Sequence, residues 1–208
     1  MASVPELKIG VIGLQGAVAE HVEALNSTLK EMKLKGAAYP IKRQAQIEDV
    51  HGLVIPGGES TTIGRLLQQR GMAEKIVKAA EKGTPILGTC AGLILMAKEV
   101  YDAKVSLLPQ PLLGLMDMKV VRNAFGRQRE SFEDLVDIPL LGRDPYPGVF
   151  IRSPLVERVW GENEAIGRWR EKIVAVQQGN LLATAFHPEL SRDRRFLQYF
   201  VKHILDAL

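Results

Sequence analysis

One short stretch restricts the possible folds of this chain more than any other. From Thr84 to Leu95 it reads Thr-Pro-Ile-Leu-Gly-Thr-Cys-Ala-Gly-Leu-Ile-Leu. A brief apolar run, Ile86-Leu87, meets Gly88-Thr89-Cys90-Ala91-Gly92 and passes into an apolar helical pattern. Glycines two residues to either side of a nucleophile mark a nucleophile elbow, here with sulfur where serine oxygen is usual. The pattern predicts a sharp turn from strand into helix, with the thiol held out in a strained position at its apex. At the start of that helix, unpaired N–H groups and the helix dipole favour a thiolate. Cys90 is the only cysteine in the chain. A lone intracellular cysteine is more often a small buried hydrophobe, and the paired glycines are what set this one apart.

The chain around the elbow supplies the sheet that an elbow needs. Lys8 to Leu14 is a nearly continuous apolar segment, the mark of a strand covered on both faces. After Gln15-Gly16, the residues Val18, Val22, Leu25, Leu29 and Met32 recur at helical spacing, which predicts a helix over 17–33. Residues 37–41 read weakly as a strand, and Gly52 to Ile55 as a buried one that ends at Pro56-Gly57-Gly58-Glu59-Ser60. Helices are predicted over 62–69 and from the break at Gly71 to Lys82. Strand and helix alternating through short links imply an open parallel sheet with helices on both faces. Gly57-Gly58 and the elbow then both lie at carboxyl ends of strands, where open α/β sheets bind ligands.

Beyond about Tyr101 the pattern changes. Strands are predicted over 115–121, 148–152, 156–160, 173–178 and 181–186, with Gly179-Asn180 as a hairpin turn between the last two. Asp193 is expected to cap a final helix with Leu197, Val201, Ile204 and Leu208 on its inner face. The expected fold is therefore α/β: a single domain over 1–208, with an open, mostly parallel central sheet and additional antiparallel strands in the C-terminal half. A chain of 208 residues is long enough to bury a full core. Its net charge of +3 is spread along the sequence, which argues against nucleic acid as a partner. One cysteine and four scattered histidines make neither a disulfide nor a metal-ligand spacing, so no metal is expected. The first residues lack the apolar core of a signal peptide and no run approaches a membrane span. A cytoplasmic, membrane-free protein is expected.

A cysteine nucleophile needs a base, and usually a group to orient that base. His21 and His203 fall within helical patterns, and His51 precedes a strand. His187 ends the strand 181–186 and is followed by Pro188-Glu189. On extended backbone, residues two apart face the same side, so imidazole and carboxylate project together, and the carboxylate fixes the tautomer and stabilises the imidazolium. The oxyanion formed when a thiolate attacks a carbonyl needs fixed donors. The N–H of Ala91 is one candidate, and the Gly57-Gly58 turn, with Gly58 as donor, is the other.

These residues carry a resemblance. Gly88-Thr-Cys-Ala-Gly92 with His187-Pro-Glu189 resembles the class I, triad-type glutamine amidotransferases. Seven co-linear segments resemble, more narrowly, the family of glutaminase subunits of pyridoxal 5'-phosphate synthase. They are Leu14 to Ala17, Ile55 to Thr62, Gly88 to Leu95, Arg122 to Gln128, Ser131 to Glu133, Val149 to Arg152 and His187 to Leu190. Together they span nearly the whole chain in order. The chain departs from the pattern in a few extra residues before Leu7 and a longer, proline-containing segment over 104–113.

The resemblance implies a class I glutaminase-like fold and the hydrolysis of L-glutamine to L-glutamate and ammonia. The ammonia would pass to a separate synthase subunit, and no cofactor is implied. By position, Cys90 is the nucleophile, His187 the base and then the acid, and Glu189 its orienter. Gly57, Gly58, Glu59, Arg122, Ile151 and Arg152 would line the glutamine site, and the loop from Asn123 to Arg129, with Phe125 and Arg127, would face the partner. The alternatives are a glutaminase subunit of another amidotransferase such as the histidine-pathway enzyme, a catalytically silent regulatory module of the same fold, or a cysteine peptidase sharing the elbow. The motifs at Arg122 to Gln128 and Ser131 to Glu133 argue against the first, and the complete Cys90, His187, Glu189 set against the second.

Overall fold

The computed structural model describes residues 6–102, 110–122, 124 and 131–208. The first half alternates as expected: β1 (Leu7–Ile12), α1 (Val18–Glu31), β2 (Gly36–Ile41), β3 (Gly52–Ile55), α2 (Ser60–Gln69), α3 (Met72–Glu81), β4 (Ile86–Thr89) and α4 (Ala91–Met96). The second half is mostly strands: β5 (Ala97–Asp102), β6 (Met116–Arg122), β7 (Ser131–Val136), β8 (Tyr146–Ile151), β9 (Leu155–Val159), β10 (Glu164–Trp169), β11 (Lys172–Gln178) and β12 (Leu181–Thr184), before α5 (Arg195–Asp206).

The sheet runs β2-β1-β3-β4-β12-β11-β9-β6-β5, with β10 also paired to β11. From β2 to β12 every pairing is parallel. The strands β12, β11, β9 and β6 then pair antiparallel, and β5 returns parallel to β6. The central strands β3 and β4 are buried at every residue, which is why they read as unbroken apolar runs. β2 is the edge strand and contains Pro40, a residue tolerated there because its missing N–H would otherwise break a ladder. Asn26 on α1 braces that edge, bonding both the N–H and the carbonyl of Ala38.

The helices pack around the sheet in two groups, α1 with α5 and α2 with α3 and α4. α5 is held by one apolar stripe: Phe196, Leu197, Phe200, Val201 and Ile204 are fully buried, and each such side chain contributes about 1.5–3 kcal/mol relative to exposure. Leu208, expected on that inner face, is 58% exposed because it lies beyond the helix end. Asp193 stands one residue outside the cap, and its Oδ1 accepts the N–H of Arg195 at 3.0 Å.

Three strands lie outside the sequence-based expectation: β5, β7 and β10. α4 ends after six residues when Ala97 turns extended, and the mixed sequence Ala-Lys-Glu-Val-Tyr-Asp pairs with β6 as an edge strand. β7 and β8 form a separate two-stranded sheet. It is joined to β10 by the Asp137–Arg168 bridge and by packing of Phe132 and Phe150 against Trp169. Most of the segment 104–113 lies outside the described residues. Its last part straps the elbow helix, with Leu113 N–H donating to Leu95 O at 2.7 Å.

Strand order gathers the loops that bear the candidate site residues. β1, β3, β4 and β12 are parallel neighbours, so their carboxyl ends share one edge of the sheet. The loops bearing Gln15-Gly16, Gly57-Gly58, Cys90 and His187 converge there.

Candidate active site

The elbow forms as the sequence predicts, with a different division of labour. Cys90 itself carries the strain, at φ 49° and ψ −96°, a backbone state of a kind that costs about 1–3 kcal/mol. Gly88 and Gly92 do not turn the chain; neither has positive φ. They permit close packing. A Cβ on Gly92 would collide with the carbonyl of Ile55 in β3, and one on Gly88 would lie 2.8 Å from the backbone of Gly92. The strained residue is pinned by its own N–H, which donates to Thr184 O in β12 at 2.7 Å. Cys90 is 7% exposed, so its thiol opens onto a cavity rather than the outer surface. The carbonyl of Ile151 lies 3.8 Å from Sγ. Ala91 opens α4, so its N–H has no intrahelical acceptor.

His187 and Glu189 come together by a route other than strand alternation. β12 ends at Thr184, and 187–190 form a turn closed by Leu190 N–H to His187 O at 3.2 Å. Within that turn, His187 Nδ1–H donates to Glu189 Oε1 at 2.6 Å. A carboxylate accepts only, so this bond assigns the proton to Nδ1 and leaves Nε2 for the sulfur. Nε2 is buried and makes no hydrogen bond of good geometry among the described residues, while Cys90 beside it is the strongest influence favouring the imidazolium. Burial alone would depress the His187 imidazolium; Cys90 and Glu189 beside it outweigh that and raise its pKa to about 10. Burial likewise opposes ionisation of Glu189, but His21 and His187 hold its carboxyl below the usual range.

The turn is anchored from outside. His187 N–H donates to Val149 O on β8 at 2.8 Å. Phe186, one residue earlier, packs among Tyr146, Phe150 and Phe196. Arg194 donates to the carbonyl of Ser191 at 2.8 Å, and Tyr146 OH to that of Asp193 at 3.1 Å.

A cavity of about 510 Å³ opens over the sulfur. Its wall includes Gly57, Gly58, Glu59, Cys90, Arg122, Ile151, Arg152 and His187, so the residues expected to bind glutamine surround the Cys90 sulfur. Glu189 sits behind His187, away from the cavity. A Cβ on Gly57 would come within 2.5 Å of the His187 ring, so glycine there lets the imidazole approach the turn. The Gly57 carbonyl accepts from Ala17 N–H at 2.9 Å; because N–H and C=O of a trans peptide are opposed, Gly58 N–H points the other way. Gln15 Oε1 accepts from Glu59 N–H at 2.9 Å. Arg122 places its guanidinium in the wall, donating to Glu59 Oε1 at 3.1 Å and to Gln110 Oε1 at 3.3 Å. Arg152 is in the left-handed region at φ 45°. Asn123, Phe125, Arg127 and most of the Arg122 to Gln128 segment lie outside the described residues.

Sequence reasoning missed two groups. Gln110 braces Arg122 and Ser60 from a proline-containing segment that carries no periodic signal. His21 is fully buried, with Nε2 3.0 Å from Thr89 Oγ1 and 3.3 Å from Glu189 Oε2. A polar residue on the buried stripe of α1, beside Ala24, Leu25 and Thr28, was its available sign.

Fold and site together place the chain among α/β proteins that carry a cysteine at a strand-to-helix elbow and a hydrogen-bonded histidine–carboxylate pair at the next strand end. Residues 11–206 match the SNO glutamine amidotransferase family. The chain is 51% identical over 201 residues to the pyridoxal 5'-phosphate synthase subunit PdxT of Methanosarcina mazei, covering 97% of this chain and 100% of the relative. It is 46% identical to the PdxT subunit of Moorella thermoacetica, covering 95% and 100%. A crystal structure of a glutamine amidotransferase superposes with TM-score 0.83 at 40% identity, covering 94% of this chain and 98% of that one. The chain belongs to the SNO glutamine amidotransferase family.

Proposed function

We propose that this chain is the glutaminase subunit of a pyridoxal 5'-phosphate synthase: one glutaminase domain, acting in the cytoplasm, that hydrolyses L-glutamine and delivers ammonia to a synthase subunit. The observation that carries the reading is the convergence of Cys90 and His187 on one cavity with Glu189 bonded behind the ring, in a chain matched end to end by PdxT relatives.

The Cys90 thiolate attacks the side-chain amide carbon, and the carbonyl electron pair moves onto oxygen. The N–H groups of Ala91 and Gly58 stabilise that oxyanion. As the C–N bond breaks, His187 Nε2–H gives its proton to the leaving nitrogen, which departs as ammonia and leaves a thioester. Water then attacks the thioester, giving a proton to Nε2. The C–S bond breaks, restoring the thiolate–imidazolium pair, and the new carboxyl gives its remaining proton to solvent as glutamate is released. Glu59 and Arg122, paired on the cavity wall, offer opposite charges to the ammonium and carboxylate of the amino acid, with Arg152 and the Ile151 backbone closing the other side.

The test is glutamate release from glutamine by the full chain, alone and with a cognate synthase subunit, beside Cys90→Ala. Release that requires Cys90 and rises with the synthase subunit supports the reading. Undiminished release by Cys90→Ala overturns it.

A further inference from the structure

Glu189 has two carboxylate oxygens, and the proposed reaction uses one. Oε1 orients His187; Oε2 is buried and accepts no hydrogen bond among the described residues. Within ion-pair reach of Oε2, at 3.3 Å, lies Nε2 of His21, a side chain with no exposed surface. The other end of that ring is fixed, with Nδ1–H donating to Ala17 O at 2.6 Å. The same Nε2 stands 3.0 Å from the hydroxyl of Thr89, the residue before the nucleophile. A single imidazole on α1 thus touches both the elbow and the base-orienting carboxylate.

We infer that His21 is a positioning residue of the triad: with a proton on Nε2 it holds the second oxygen of Glu189 and registers it against the elbow through Thr89. The inference rests on the glutaminase reading for its effect on turnover.

A carboxylate is aimed by its contacts. One hydrogen bond lets it rotate about that bond; a second contact at the other oxygen sets the plane, and with it the direction of the imidazole that Oε1 holds. Proton placement makes the contact conditional. With Nδ1–H committed to Ala17, a neutral His21 meets both Thr89 and Glu189 with the lone pair of Nε2. It accepts from the Thr89 hydroxyl and has no proton for Oε2. A proton on Nε2 is donated to Oε2, and Thr89 then becomes an acceptor. Burial lowers the pKa of His21 and Glu189 opposes that. Besides Glu189, the charged groups acting on the ring are His187 across the site and Glu20 beside it on α1.

The experiment separates reach from ring shape. The amide nitrogen of His21→Gln extends to the position of Nε2, whereas that of His21→Asn extends only to the position of Nδ1. With the full chain and its synthase subunit, His21→Gln is expected to keep kcat within about threefold of wild type. His21→Asn is expected to lose about tenfold or more in kcat, with KM within about twofold. A readout independent of turnover is the downfield proton resonance of His187 Nδ1–H in the full chain. It should persist in His21→Gln and move upfield in His21→Asn, with both variants melting cooperatively. Equal kcat for the two variants, a loss confined to KM, or an unchanged resonance in His21→Asn overturns the inference. Failure of the glutaminase reading would appear separately, as full turnover by Cys90→Ala, and would leave the resonance test standing.

Discussion

At the scale of single residues, the site depends on where one proton sits. Cys90→Ala should abolish glutamine hydrolysis and leave the fold intact, because a small side chain replaces a small one on a cavity wall; glutamate release and a thermal melt check both halves. Cys90→Ser should be nearly inactive, since a hydroxyl is far harder to deprotonate near neutral pH. In the proposed mechanism His187 is both base and acid, so His187→Ala should cost nearly as much as loss of the cysteine. Glu189→Gln removes an orienter and should retain more activity. The raised pKa of His187, about 10, adds a pH dependence with a definite sign. The imidazolium needed to protonate the leaving nitrogen persists through neutral pH and is lost as pH rises through about 10, so kcat should fall on that alkaline limb. Glu189→Gln takes away a negative partner of the imidazolium, and the limb should move to lower pH. A limb at the same pH in both proteins would contradict the coupling. By linkage, the stability this histidine contributes is fully present below its ordinary value near 6.5 and is lost towards about 10.

Elements position these residues through close backbone approach. The elbow helix can lie against β3 only because Gly92 has no Cβ to strike Ile55 O. Gly92→Ala must push α4 away, with an expected cost of about 1–3 kcal/mol and a fall in Tm of about 2–4 °C for each kcal/mol in a chain of this size. The loss of kcat should exceed what that destabilisation explains, since the thiol moves with the helix. Unchanged Tm and kcat would mean that the helix and strand have slack. The 187–190 turn depends on the aromatic group behind it. Phe186→Ala opens a cavity among Tyr146, Phe150 and Phe196 and should destabilise by about 3–5 kcal/mol, read from urea denaturation. The three strands outside the sequence-based expectation share one cause. β5, β7 and β10 mix charged with apolar residues, because edge and hairpin strands are only partly buried, whereas β3 and β4 are buried throughout.

For the whole molecule, the issue is what the ammonia meets on release. Near neutral pH most free ammonia is protonated and not nucleophilic, so a donor gains by releasing it into a closed path. A site completed on docking avoids wasteful hydrolysis. The groups suited to such a switch lie at one sheet edge: the Gly57-Gly58 peptide held by Ala17, and Gln15 held by Glu59. Weak glutaminase activity is expected from the isolated chain and a large rise on adding the synthase subunit, measured as glutamate release. An isolated chain already running at its partner-independent maximum would exclude such gating. Among the described residues, no helix is long and apolar enough to cross a membrane.

The amino-acid sequence alone determined the features whose causes are local. Glycines two residues either side of Cys90 specify an elbow, buried apolar runs specify the parallel half of the sheet, and His187-Pro188-Glu189 brings imidazole and carboxylate within reach because they are near neighbours in the chain. Tertiary structure decided the rest. It made a turn, not an extended strand, bring imidazole and carboxylate face to face. It turned Arg122 onto Glu59 and Gln110, and it set His21 against Thr89 and Glu189. The reason is geometric. Helical periodicity identifies the face of α1 that is buried. What that face meets depends on β1, β3, β4 and β12 lying side by side with their carboxyl ends at one edge, and strand order is set by packing among segments far apart in the chain.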